Sequence, residues 1–354
     1  MSDIKVNKIK SLNGTNGPEF SGIVEMNSTG AMTLPRGNTA YRGGRGRGVF
    51  GGGYDGGSPW VTINTIDYVT IASLGNAHDF GDLSEKRSAK GGGSSATRGC
   101  FIAGRFPSAP SIQNVIDYIE IQSTGNAMDF GDLIHSGIPN QKGTSNQIRS
   151  VYGGGYINPG SNLHVNSIGY FTIATKGNSS DFGSFALFGR KLFSGSNGTR
   201  GIFAGNRGAN PGSPGVNTNN IEYVTLMSIG NAQDFGDLSE IRIQSNGSMT
   251  SSTRMVMQGG INPSAVSTMD YITMASTGDA IDFGDVSTTV REISSSTSSP
   301  TRGVFNTGSE GGGTTNNAIE YVTISTLGNS QDFGDLTSAR GVAGSVSDSH
   351  GGIV

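Results

Sequence analysis

Apolar and polar positions along the chain follow a pattern that repeats six times. Ile66-Asp67-Tyr68 recurs as Ile116-Asp117-Tyr118, Ile168-Gly169-Tyr170, Ile221-Glu222-Tyr223, Met269-Asp270-Tyr271 and Ile319-Glu320-Tyr321. Successive tyrosines lie 50, 52, 53, 48 and 50 residues apart. Each copy continues through a Gly-Asn-like pair to an Asp-Phe-Gly triplet led by Asp79, Asp129, Asp181, Asp234, Asp282 and Asp332. Within one unit the pattern predicts four short strands: a small, glycine-rich one over 88–96, an apolar one over 99–103, a β-branched and aromatic one over 116–121, and an outer one over 127–133. Strict alternation fails in residues 66–71. Ile66 and Tyr68 share one face, and Val69 and Ile71 the other. Apolar residues of both parities require both faces of the sheet to be covered.

A four-stranded sheet covered on both faces and repeated radially is a blade of a β-propeller. Residues 340–349 repeat the small first-strand segment after the last outer strand, whereas residues 35–47 leave little room for such a strand before the first apolar one. The expectation is an all-β, six-bladed propeller over residues 38–354, closed by a C-terminal strand that completes blade 1. Closure of this kind removes exposed sheet edges. Residues 1–37 do not fit the repeat. Lys5, Lys8 and Lys10 alternate loosely with Ile4, Val6 and Ile9, and a hairpin is expected over 20–26 and 31–34. This reads as a small extended or β N-terminal arm, with the three lysines as candidate attachment residues.

Composition sharpens this picture at a few points. Glycine supplies 58 of 354 residues and charged residues only 14%, without a collagen-like period. A net charge of −3 argues against a disordered chain. No apolar run approaches the roughly 20 residues of a membrane span, and no apolar signal segment follows Met1, so membrane insertion is not expected. Cys100 stands alone, which excludes an internal disulfide or a thiolate zinc cluster. The first 50 residues carry a balance of +4 and the remainder −7. The basic side of the arm therefore suits acidic groups on a partner surface.

Candidate chemistry is sparse. His78, His135, His164 and His350 share no ligand spacing, and no nucleophile elbow has the strand-turn-helix context it needs. A kinase carries one Asp-Phe-Gly beside a catalytic loop and a lysine strand, and here six occur without either. Asp79 and Asp82 flanking Gly81 suit a turn or bulge in which short carboxylates accept backbone hydrogen bonds. Calcium binding by these carboxylates is the alternative, although Ser184 breaks the series in unit three. Arg98, Arg200, Arg254 and Arg302 recur before the apolar strand and predict a repeated contact to neighbouring carbonyls or aspartates. No enzyme activity, metal, cofactor or nucleic-acid contact is expected.

Function is better sought where equivalent units differ, on loops carried by a rigid scaffold. The connection before the tyrosine strand varies most, and all copies would emerge on one rim. It holds Tyr54, Asp55 and Trp60 in blade 1, Phe106 in blade 2, and Tyr156 and His164 in blade 3. Aromatic side chains beside Asn, Asp and Ser suit saccharide stacking or protein contact.

Two resemblances follow from these residues. Val49-Phe50-Gly51-Gly52 with Asp67-Tyr68, and Val151-Tyr152-Gly153-Gly154 with Tyr170, resemble the kelch repeat of β-propellers. The kelch pattern places a tryptophan on the outer strand, where these units have Phe80, Phe130, Phe182, Phe235, Phe283 and Phe333. Met1-Ser2-Asp3-Ile4-Lys5-Val6-Asn7-Lys8-Ile9 is similar to the opening of tailed-phage virion proteins, especially fibres and appendages of marine phages. The stretch 28–43 is similar to the segment that introduces the distal part of such fibres, and the repeat itself to units of viral structural proteins. The resemblance implies a non-enzymatic virion component, a tail fibre, appendage or decoration. It would be assembled in the host cytoplasm, anchored to other virion proteins by its arm, and homo-oligomeric. Its outward propeller would contact a host glycan or receptor. A free carbohydrate- or protein-binding propeller, a lectin-like module, is the alternative.

Overall fold

Apolar residues of both parities in the tyrosine strand are accommodated because each sheet is packed between two others. The computed structural model describes residues 46–56, 61–88, 91–104, 114–134, 142–157, 163–208, 216–242, 247–290, 295–311, 314–341 and 343–353, so the arm and its Lys5, Lys8 and Lys10 lie outside the described residues. Six four-stranded antiparallel sheets form a six-bladed β-propeller, with no helix among the described residues. In blade 1 the order from axis to periphery is Gly344–Ser347, Arg47–Tyr54, Thr62–Thr70 and His78–Asp82. The closing strand comes from the other end of the chain, as the sequence predicts. Gly48 pairs with Ser347, Val49 with Val346, Phe50 with Ser345 and Gly51 with Gly344. The other innermost strands are Gly91–Ser94, Lys142–Ser145, Arg190–Ser196, Ser248–Thr250 and Ser295–Ser298.

The apolar core lies between blades. Val49, Ile66, Phe80 and Leu83 of blade 1 pack with Phe101, Ile119 and Ile121 of blade 2. On the other face, Phe50, Val69 and Ile71 pack with Val304, Ile319, Phe333 and Leu336 of blade 6. The outer-strand phenylalanines are buried, each edge-on to its tyrosine, as in Tyr68–Phe80 at 6.0 Å and 81°. Every outer strand bulges at its Asp-Phe-Gly glycine. In blade 1, Ile66 pairs with Gly81 but Asp67 with Asp79, and Gly81 has φ +143°. The bulge turns the outer strand toward the next blade.

Candidate functional site

Three rings of polar contact run around the disc, and they absorb most of the repeated motifs. The outermost is a backbone clasp. Gly125 N–H donates to Phe80 O at 2.7 Å, Ala127 N–H to Asp82 O at 2.7 Å, and Asn126 Oδ1 accepts from Asp82 N–H at 3.0 Å. The same three bonds recur to the last joint, where Gly75, Ala77 and Asn76 of blade 1 meet Phe333 and Asp335 of blade 6. Asp279 replaces asparagine in blade 5 and accepts in the same way. The Asp-Phe-Gly and Gly-Asn motifs are two halves of one inter-blade joint. Their carboxylates are spread around the rim, and no three His, Cys, Asp or Glu side chains converge on a metal position among the described residues.

The second ring is cationic. Arg47, Arg98, Arg149, Arg200, Arg254 and Arg302 lie over Tyr68, Tyr118, Tyr170, Tyr223, Tyr271 and Tyr321, with 4.3–4.6 Å from guanidinium carbon to ring centre. Each Nη1 donates to a carbonyl of the next blade, from Arg47 to Ile121 O at 2.8 Å round to Arg302 to Ile71 O at 2.9 Å. The expected contact of Arg98, Arg200, Arg254 and Arg302 is thus to carbonyls. Arg47 and Arg149 also belong to the set, although Gly46 and Ile148 stand before them where the other four have threonine.

The third ring is buried and holds the acidic residue before each tyrosine. Asp117 pairs with Arg87 at 2.9 Å and Asp270 with Arg242 at 2.7 Å, all fully buried, and Asp67 pairs with Arg340. Each arginine comes from the preceding blade's connection. Burial draws Arg87, Arg242 and Arg340 below the usual guanidinium range, against the pull of their aspartates. Blades 4 and 6 carry Glu222 and Glu320 instead. Like Asp117, Asp270 and Asp67, which accept from Ser84, Ser239 and Thr337 N–H, these carboxylates accept from a backbone N–H of the preceding connection, Ala186 at 2.7 Å and Ser287 at 3.3 Å. In blade 3 the acid is replaced by Gly169, and the buried Tyr152 fills the space, its hydroxyl 2.5 Å from Ser179 Oγ. Burial pushes that phenol up to about 12.

Connections between second and third strands all leave one face of the disc, opposite the short hairpins that join first and second strands. On this loop face Asp55 ties its own loop: its N–H donates to Val61 O at 2.9 Å, and its Oδ1 accepts from Val61 N–H at 2.9 Å. Tyr54 is buried, 7% exposed, with its backbone bridged to Gly341 in both directions. His164 is likewise buried, 8% exposed, against the backbone of Gly208 in blade 4. Both side chains are thus covered by neighbouring segments. Tyr156 begins a two-residue strand paired with His164. Trp60 and Phe106 lie outside the described residues. The face is cross-tied by Gly56 N–H to Thr315 Oγ1 at 3.0 Å and Asn262 Nδ2 to Glu240 Oε2 at 2.7 Å.

Along the axis, innermost strands present unpaired edges too close together for large side chains. Serine hydroxyls satisfy those edges. Ser94 donates to Ser347 O at 2.7 Å, Ser145 to Ser94 O at 2.9 Å, and Ser347 to Ser298 O at 2.8 Å. A second tier runs Ser248 to Ser194 O, Ser296 to Ser248 O and Ser345 to Ser296 O at 2.6–2.8 Å. The space they enclose is about 80 Å³. At the hairpin end the segment 350–353 crosses the axis. His350 Nε2 lies 3.1 Å from Ser94 O, its Nδ1 accepts from Gly352 N–H at 3.1 Å, and Gly351 N–H donates to Thr250 Oγ1 at 3.2 Å. Burial holds the imidazole down at about 4.

No protein-family model and no curated protein matches the chain. The molecule is a six-bladed β-propeller, a class that fits a binding or structural module.

Proposed function

We propose that the chain is a non-enzymatic structural protein of a tailed-phage virion, a fibre, appendage or decoration. Residues 1–37 attach it to other virion proteins, and the loop face meets a host-surface glycan or receptor. The observation that carries this reading is the fate of the repeated polar residues. The arginines, the glycines and the aspartates before the tyrosines are engaged in blade-to-blade joints, and the Asp-Phe-Gly-Asp aspartates join them through their backbone, so what varies between blades is the loop face. The similarity of residues 1–9 and 28–43 to virion proteins supplies the setting, and the basic side of the arm, with Lys5, Lys8 and Lys10, the means of attachment. Copies associate as homo-oligomers in the mature particle, without nucleic acid, membrane insertion, metal or cofactor.

Particle incorporation tests this. Full-length protein should co-purify with virions, and a variant lacking residues 1–37 should remain in the unassembled fraction. Absence of the protein from purified virions overturns the reading. Glycan binding with no incorporation would favour the free, lectin-like propeller.

A further inference from the structure

The stacked arginines repeat in every blade, but the partner of their second edge does not. In blade 2, Glu120 Oε1 accepts from both Nε and Nη2 of Arg98, at 3.1 and 2.9 Å. Glu120 is the last residue of its strand, and Thr70, Thr172, Thr225, Thr273 and Thr323 hold the same place in the other blades, all exposed. A threonine is too short to reach across. In blade 6, Arg302 is held by its Nη1 on Ile71 O, while Nε and Nη2 have no protein partner among the described residues. That edge opens on a groove of about 290 Å³, lined by Arg302, Tyr321, Thr323, Thr326, Asn329 and Gln331.

The groove is rich in donors. Asn329 Oδ1 accepts from Asp285 N–H at 3.0 Å, and Gln331 Oε1 from the Tyr321 hydroxyl at 2.6 Å, which leaves both amide NH₂ groups to donate. The Thr323 hydroxyl adds to them, while that of Thr326 donates to Thr323 O at 3.4 Å. The neighbouring carboxylate does not interfere. Asp332 pairs with Glu320 while Gln331 pairs with Tyr321, so alternation sends Asp332 to the other face of the sheet. Blade 2 shows what satisfies such an edge: a carboxylate. We propose that the Arg302 groove binds a carboxylated sugar residue, its carboxylate on Nε and Nη2 and its ring oxygens on the amides and the Thr323 hydroxyl. Glu120 occupies the corresponding edge in blade 2 as a built-in substitute. The site stands on the hairpin side of the disc and serves a particle-borne or a free propeller alike, so its failure leaves the incorporation test untouched.

The test uses the full chain, titrated with galacturonate oligosaccharide and, in parallel, with uncharged galactose oligosaccharide, sulfate and a glutamate peptide, following arginine Nε–H signals by NMR. Galacturonate should shift the Arg302 signal and galactose should not. Thr323→Glu, which copies blade 2, should abolish that shift while the thermal melt stays unchanged. Arg302→Lys should weaken binding about tenfold, as expected for one lost charge-assisted hydrogen bond. The proposal is overturned if galacturonate does not bind, if it binds equally well to Thr323→Glu, or if only sulfate or the peptide binds.

Discussion

At the scale of single residues, buried charge in this propeller is placed by a rule visible in the chain. Arg87, Arg242 and Arg340 each fall five residues after the final aspartate of an Asp-Phe-Gly-Asp run, and each precedes a unit with Asp before its tyrosine. The units with Glu222 and Glu320 follow connections whose arginines, Arg190 and Arg291, stand one residue later. The arginine matters because an unpaired buried carboxylate is costly, and each of these Asp and Glu side chains also accepts a backbone N–H from the same connection. His350 obeys a different rule, since both its ring nitrogens are used in the neutral form. Its value near 4 lies below the ordinary 6.5. As pH falls through 6.5 the unfolded chain takes up the proton first, so the stabilisation present above that pH drains away down to about pH 4. The loss should reach roughly 3 kcal/mol. Thermal melts at pH 7 to 4 should show a steeper decline for the wild type than for His350→Gln, and parallel curves would refute the assignment.

At the scale of elements, most of each blade was legible. The strand expected over 99–103 is Arg98–Ile102, and the one over 116–121 is Val115–Glu120. The bulge expected beside Gly81 is present, but its purpose was hidden because its partner lies one repeat away. A side chain at Gly131 would come 2.5 Å from Gly177 O in the next blade, and the residue has φ +146°. Gly125 has a similar φ of +154° with open space around it. The two glycines thus separate backbone strain from close approach. Alanine at either should cost about 1–3 kcal/mol in strain. Gly131→Ala should lose roughly another 1–3 kcal/mol from the forced contact. Urea unfolding would measure the difference, and equal losses would mean that the joint tolerates separation. The rim shows the opposite lesson. Tyr54 read as a loop aromatic because its cover, Gly341, lies at the far end of the sequence, and His164 because Gly208 belongs to the next blade. Local composition carries no information about either neighbour.

At the scale of the whole molecule, everything depends on one strand brought from the other end of the chain. Residues 340–353 complete blade 1, supply Arg340 to the buried Asp67, seat Val346 against Phe101 and Ile119, and cross the axis beside Ser94 and Thr250. Asp348 adds bonds to Gly46 and Arg47 N–H at 2.9 and 3.1 Å and to Gln122 Nε2 at 2.6 Å, joining blades 1 and 2. Apart from the bond to Thr250, each contact spans more than half of the sequence, so closure is slow to find. Deleting residues 340–354 would leave the Arg47–Tyr54 edge open and Asp67 without its cation. The melting temperature should fall by at least about 10 °C, with aggregation through the bared edge. A synthetic peptide of residues 340–354 added in trans should restore much of the loss by pairing with the same edge. An unchanged melt after deletion would show that the ring is held by its six outer joints alone, and that the closing strand is dispensable.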